Sequence, residues 1–149
     1  MRSLLFILLI GLGIHISAAQ EVNWLTSFDD AKSISAQENK YILISFSGSD
    51  WCVPCAKLER DLFTTEEFAS FVASNLILLK ADFPVRKKNL LSEEQQKHNE
   101  ALAEIYNPKG SFPVMVIVND QGKIIGYVSH PKSSTEAYIN SLKEIVSQK

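Results

Sequence analysis

The sequence is short of cysteine, of glycine in recognisable loops, and of any excess of positive charge. Only two of its 149 residues are cysteines. That excludes a disulfide-framework miniprotein and any zinc site built from four cysteines of one chain. Lys and Arg number 15 against 17 Asp and Glu, a net charge of −2. Phosphate backbones need a cationic face, so nucleic acid is excluded as the main partner. The six glycines form no phosphate-cradling loop or dinucleotide fingerprint, and no bound cofactor is expected. No segment repeats at solenoid spacing. The longest apolar run, residues 4–14, has 11 residues, short of the ~20 that cross a bilayer.

What is present suits one globular domain, with 46% hydrophobic and 21% charged residues. Arg2, the apolar run and then Ser17-Ala18-Ala19 have the order of a secretory signal peptide. Cleavage is expected after Ala19, leaving residues 20–149 as a single exported domain. Export makes a structural disulfide the ordinary expectation for two cysteines. Here they stand three positions apart, in Trp51-Cys52-Val53-Pro54-Cys55. Closing so small a loop stabilises by about 2 kcal/mol, against about 3 for a loop of 15 residues. The spacing is poor for stapling and good for redox chemistry.

Periodicity places the pair. Residues 27–38 have helical spacing, with Phe28, Ala31 and Ile34 on one face. Residues 41–46 are nearly all apolar, as in a strand covered on both sides. Helices are expected at 52–62 and from Thr65, a strand at 76–82, and a helix from the capping pattern Ser92-Glu93-Glu94-Gln95 to Tyr106. Strands at 113–119 and 123–129 joined by a tight turn should be antiparallel, and a last helix follows Ser134. The order predicts an α/β domain, a central sheet of four or five strands with helices on both faces. Cys52 and Cys55 then fall at a strand-to-helix junction, where such sheets concentrate their chemistry.

A thiol at a helix N-terminus faces unpaired backbone N–H groups that favour the thiolate. Cys52 is therefore the candidate nucleophile, and Cys55, one turn in, the resolving thiol. Pro54 fits the first turn, where its missing donor costs nothing. Asp50 opposes this, because a nearby carboxylate disfavours a thiolate. Trp51 is expected at the rim of the site, with Trp24 and Tyr41 in the core. Pro113 either opens a strand or forms a cis bond with Phe112 that leaves backbone free to pair with an extended substrate. His98 and His130 show no ligand spacing towards the cysteines, so no metal site is expected.

The run from Ser49 to Glu59, the strand before it and Phe112-Pro113 together resemble thioredoxin-fold oxidoreductases over residues 22–149. The match is nearest to the C-terminal domain of bacterial thiol:disulfide interchange proteins. The resemblance implies a thioredoxin-like mixed sheet and a cis Pro113. It gives Cys52 the attacking role and Cys55 the resolving one, with Trp51, Val53, Pro54, Phe112 and Pro113 contacting substrate. It also implies protein disulfides or dithiols as substrates, a membrane-bound thiol donor, a periplasmic or secreted location and a monomer. A reductase is implied by the Xaa-Pro dipeptide; an oxidase or isomerase, or a metal-binding or docking module, are the alternatives.

Two features depart from the resemblance. The buried acid of that family is replaced by Ser45, leaving Glu59 as either a substitute proton acceptor or a solvated helix residue. The chain between Asp82 and Pro113 is long for the fold. Residues 83–106, with Arg86-Lys87-Lys88, are expected as a helical insertion, either partner-specific or merely a solvated basic loop.

Overall fold

The computed structural model describes residues 22–128 and 130–148; the expected signal peptide, residues 1–19, lies outside them. Five strands form one mixed sheet: β1 (Trp24–Leu25), β2 (Tyr41–Ser47), β3 (Leu76–Asp82), β4 (Val114–Val118) and β5 (Ile124–Val128). Their spatial order is β1-β3-β2-β4-β5. β1 and β2 both pair with β3 in parallel, whereas β4 runs antiparallel to β2 and β5 to β4. β1 is the one strand that periodicity does not announce. Two residues are too few to show a pattern, and their pairing with Leu78 and Leu79 of β3 defines them.

The alternation of side chains along β2 sorts the core into two layers. Ile42, Ile44 and Phe46 belong to one buried cluster and Leu43 to the other. All four are 0% exposed, and burying each contributes roughly 1.5–3 kcal/mol. The Leu43 face is covered by α2 (Val53–Leu58), α3 (Glu66–Asn75) and α5 (Thr135–Val146), through Leu58, Phe68, Val72, Ile139 and Leu142. The Ile42 face is covered by α1 (Phe28–Glu38) and α4 (Glu93–Tyr106), through Ala31, Leu102 and Tyr106.

Side-chain caps set where most helices begin. The hydroxyls of Ser27, Thr65, Ser92 and Ser134 each accept the backbone N–H three residues on, about 0.5–2 kcal/mol apiece. The capping box expected at Ser92 is only half made. Gln95 does not turn back to the cap; its amide reaches Thr26 O at 3.1 Å and Asn99 Oδ1 at 2.9 Å. Asn99, buried, donates in turn to Asp82 O at 2.8 Å. This chain of bonds holds α4 across the ends of β1 and β3.

Residues 83–106 therefore divide in two. The helix expected as part of an insertion is core: Leu102 and Tyr106 are each 4% exposed. Tyr106 packs edge-on to Phe28 with centroids 5.7 Å apart and donates to Gly122 O at 2.9 Å. Gly122 turns β4 into β5 at φ +80°, and a Cβ there would lie 2.8 Å from the Tyr106 hydroxyl. Beyond Phe83, which packs against the core, the rest of loop 83–91 stands outside the packing, with one short 3-10 turn at Lys87–Asn89.

Candidate active site

β2 delivers the chain to a tight turn at its carboxyl end, where Cys52 N donates to Gly48 O at 2.8 Å. Cys52 is the N-cap of α2, and Pro54 lies in its first turn. Cys52 and Cys55 are joined in a disulfide, their Cα atoms 5.2 Å apart. The backbone N–H of Cys55 points at Cys52 Sγ, 3.2 Å away. An N–H in that position favours a thiolate on Cys52 once the bond is reduced. In this oxidised form both cysteines are nearly enclosed, 6% exposed for Cys52 and 5% for Cys55. Beyond Leu58 the helix widens into a π-helical turn, Glu59–Phe63.

Three contacts tie this turn to neighbouring loops. Asp82, at the end of β3, accepts from Ser49 N at 2.8 Å and from Ser49 Oγ at 2.5 Å. Trp51, 46% exposed and so at the rim as expected, donates its indole N–H to Phe83 O at 2.7 Å. Asp50 accepts from Val85 N, Arg86 N and Asn89 Nδ2 at 3.0, 2.9 and 2.9 Å. The Val85 N–H above all, with Asn89 and Arg86 behind it, holds the Asp50 carboxyl below its ordinary pKa. The carboxylate that sequence set against the Cys52 thiolate is committed to loop 83–91.

Pairing of Phe46 with Val114 sets Pro113 just before β4, at the same end of the sheet. The Phe112–Pro113 peptide is cis and Pro113 is buried. Asn107 braces the approach, its side chain donating to Ser111 O and accepting from Ser111 N, both at 2.9 Å. The Phe112 ring meets Trp51 and Phe83 edge-on, with centroids 5.3 and 5.5 Å apart. Three loops thus converge on one aromatic cluster. Val53, 79% exposed, and Pro54 lie on the open side.

Ser45 is buried on β2 with no hydrogen-bond partner for its hydroxyl. By alternation it lies on the face that α2 covers, beside Lys80 of β3 in register. Lys80 donates to Glu59 Oε2 at 3.0 Å, and the two side chains are 26% and 42% exposed. Glu59 is thus an ion-pair partner on the motif helix, neither fully solvated nor buried. His98 and His130 make hydrogen bonds elsewhere. His98 Nε2 accepts from Phe28 N at 3.3 Å, and His130 Nδ1 pairs with the Tyr138 hydroxyl. Among the described residues, no three His, Cys, Asp or Glu side chains gather as a metal site.

The fold brings the two cysteines, Trp51, Phe112 and Pro113, all singled out from sequence, to one end of the sheet, together with Asn107, Asp82 and Phe83, which were not. Only Asn107-Pro108 carried a signal, as a turn dipeptide.

Known proteins share this fold. The thioredoxin-like family profile matches residues 23–120, and the chain belongs to that family. It is 32% identical over 126 residues to disulfide bond reductase DsbH of Chlamydia pneumoniae, spanning 85% of this chain and 74% of that one. A solved structure of DsbH oxidoreductase matches with TM-score 0.77 and 30% identity, covering 89% of each chain. A putative disulphide isomerase of Bacteroides thetaiotaomicron shares the fold, with TM-score 0.62, 19% identity, and 89% of this chain and 99% of that one covered. The protein is a thiol-disulfide oxidoreductase with a redox-active Cys52–Cys55 pair.

Proposed function

We propose that the protein is an exported reductase of protein disulfides. The observation that carries this reading is the Cys52–Cys55 disulfide at the start of α2, with the Cys55 N–H on Cys52 Sγ. In the reduced form the Cys52 thiolate attacks a substrate disulfide. One substrate sulfur leaves as a thiolate and takes up a proton, and a mixed disulfide forms on Cys52. Cys55 then loses its proton and attacks Cys52 Sγ, releasing the second substrate thiol. Two electrons pass to the substrate and the Cys52–Cys55 disulfide reforms.

Trp51, Val53, Pro54, Phe112 and Pro113 form the surface that receives the substrate, and Glu59 takes the proton from Cys55. The reducing direction is supported by the 32% identical relative that is named a disulfide bond reductase. With no cofactor fingerprint in the sequence, electrons return from another thiol protein, a membrane-bound donor in the periplasm by family resemblance. The protein acts there as a monomer, residues 20–149, after removal of 1–19.

The test is the reduction potential of the pair, by equilibration with glutathione or dithiothreitol. A value near about −270 mV supports the reductase, and one near about −120 mV makes the protein a dithiol oxidase.

A further inference from the structure

We propose that loop 83–91 is a recognition surface selecting disulfides carried on acidic peptide segments that place a large apolar residue near the cysteine. This deepens the reductase reading and rests on it. Its first support is continuity with the site. The loop begins at Phe83, which holds Trp51 through its carbonyl and Phe112 through its ring. Phe83 N donates to Ser47 O at 2.8 Å, and Asp50 grips Val85, Arg86 and Asn89. The loop is a preset wall of the active site, and a preset surface binds without first losing conformational freedom.

The second support is chemistry the fold does not use. Val85 and Leu90 are 66% and 57% exposed, as are Trp51 and Val53 of the cysteine motif at 46% and 79%, and the Asp50–Val85 bond ties loop to motif. Large apolar side chains left exposed together mark an interaction site more often than chance. Val85 and Leu90 line a cleft of about 380 Å³ with Phe83, Pro84 and Leu91, and Asp82 and Gln96 are its polar members. That is the low end of ligand pockets, about 300–1,000 Å³, and suits side chains of a peptide.

The third support is charge. Arg86, Lys87 and Lys88 are consecutive and exposed in a chain of net charge −2, and none forms a salt bridge among the described residues. Arg86 lies within electrostatic reach of Asp50, but the oxygens of Asp50 and Asp82 are already taken by N–H and O–H donors. The cations are left for a partner of opposite sign, which speeds encounter and selects against basic segments.

The test uses reduced protein and disulfide-bridged peptides that differ only beside the cysteine: Leu with two Glu, Leu with two Lys, and Ser with two Glu. Stopped-flow fluorescence reads the rate of attack by Cys52. The Leu–Glu peptide should react about tenfold faster than the Leu–Lys peptide at low salt, with the preference collapsing in about 0.5 M salt. It should also invert in the triple variant R86E/K87E/K88E, and the Ser–Glu peptide should be about tenfold slower than Leu–Glu. A charge preference below about threefold, or one that survives salt or charge reversal, overturns the proposal. Equal rates for Leu–Glu and Ser–Glu overturn its apolar half. The salt series needs no variant, so misfolding cannot hide the answer. Hydroxyethyl disulfide tests the underlying reading alone: no attack on it by wild type sinks the reductase, whereas attack on it without peptide selectivity sinks only the loop.

Discussion

The indole N–H of Trp51 is bonded to the carbonyl of Phe83 at 2.7 Å, so the residue before the reactive cysteine is fixed by the loop that follows β3. Gly48 makes room for this. A Cβ at position 48 would lie 2.2 to 2.6 Å from three atoms of the indole, far inside contact distance. Gly48→Ala should swing Trp51 off Phe83 and lose one hydrogen bond, a stability cost of about 0.5–1.5 kcal/mol. Trp51 emission should shift to the red in a Trp24→Phe background. Attack on peptide disulfides should slow more than attack on hydroxyethyl disulfide; equal slowing would mean Trp51 has no part in receiving substrate.

Asp50 sets the pH range over which loop 83–91 is held. Its pKa is lowered, first by the Val85 N–H and then by Asn89 and Arg86. A depressed folded value means the attachment is fully present above the ordinary carboxylate pKa of about 3.9 and is lost as pH falls through the lowered value. Trp51 fluorescence should stay constant from about pH 7 to 5 and change only below about 4. Asp50→Asn, whose amide N–H₂ faces backbone donors, should give the released signal already at neutral pH. A wild-type transition above about pH 5 would remove Asp50 as the anchor.

The two cysteines are distinguished by what each variant leaves behind. Cys52→Ser should abolish turnover of every disulfide substrate. Cys55→Ser should still attack but stall, accumulating a mixed disulfide on Cys52 that mass spectrometry detects. Loss of the disulfide in either should cost about 2 kcal/mol, the loop-closure value for so short a loop. If Cys55→Ser traps nothing while Cys52→Ser does, the roles are exchanged.

The sheet was legible because β2, β3 and β4 are apolar on both faces, and because capping residues mark the helix starts to within a residue. The redox pair was legible because two cysteines only three positions apart make a poor staple and a good redox couple. β1 was hidden by its length of two residues. The status of α4 was hidden because a polar helix with two buried anchors, Leu102 and Tyr106, reads much like an appended one. Asp50 has a second task, anchoring loop 83–91, that was hidden for a different reason. Its nearness to Cys52 is visible in sequence, whereas its donors lie 35, 36 and 39 residues away and only the fold brings them together.

Glu59 offers the sharpest division between structure and chemistry. Its bond to Lys80 is half exposed, so as an ion pair alone it should contribute no more than about 1 kcal/mol. Glu59→Gln keeps the shape and a hydrogen-bond acceptor for Lys80, and should lower thermal stability only slightly. As the proton acceptor for Cys55, one helical turn away, the same carboxylate should matter only in the second step. Attack by Cys52 should then be unchanged, while escape from the mixed disulfide slows by about a hundredfold near pH 7. The deficit should shrink as pH rises and hydroxide takes the proton unaided. A uniform deficit across pH, or none, would leave Glu59 as a partner of Lys80 and nothing more. Ser45→Ala is the companion measurement: its hydroxyl is buried without a partner, so its removal should not destabilise the fold. Any slowing confined to the second step would place that hydroxyl between Cys55 and the Glu59–Lys80 pair.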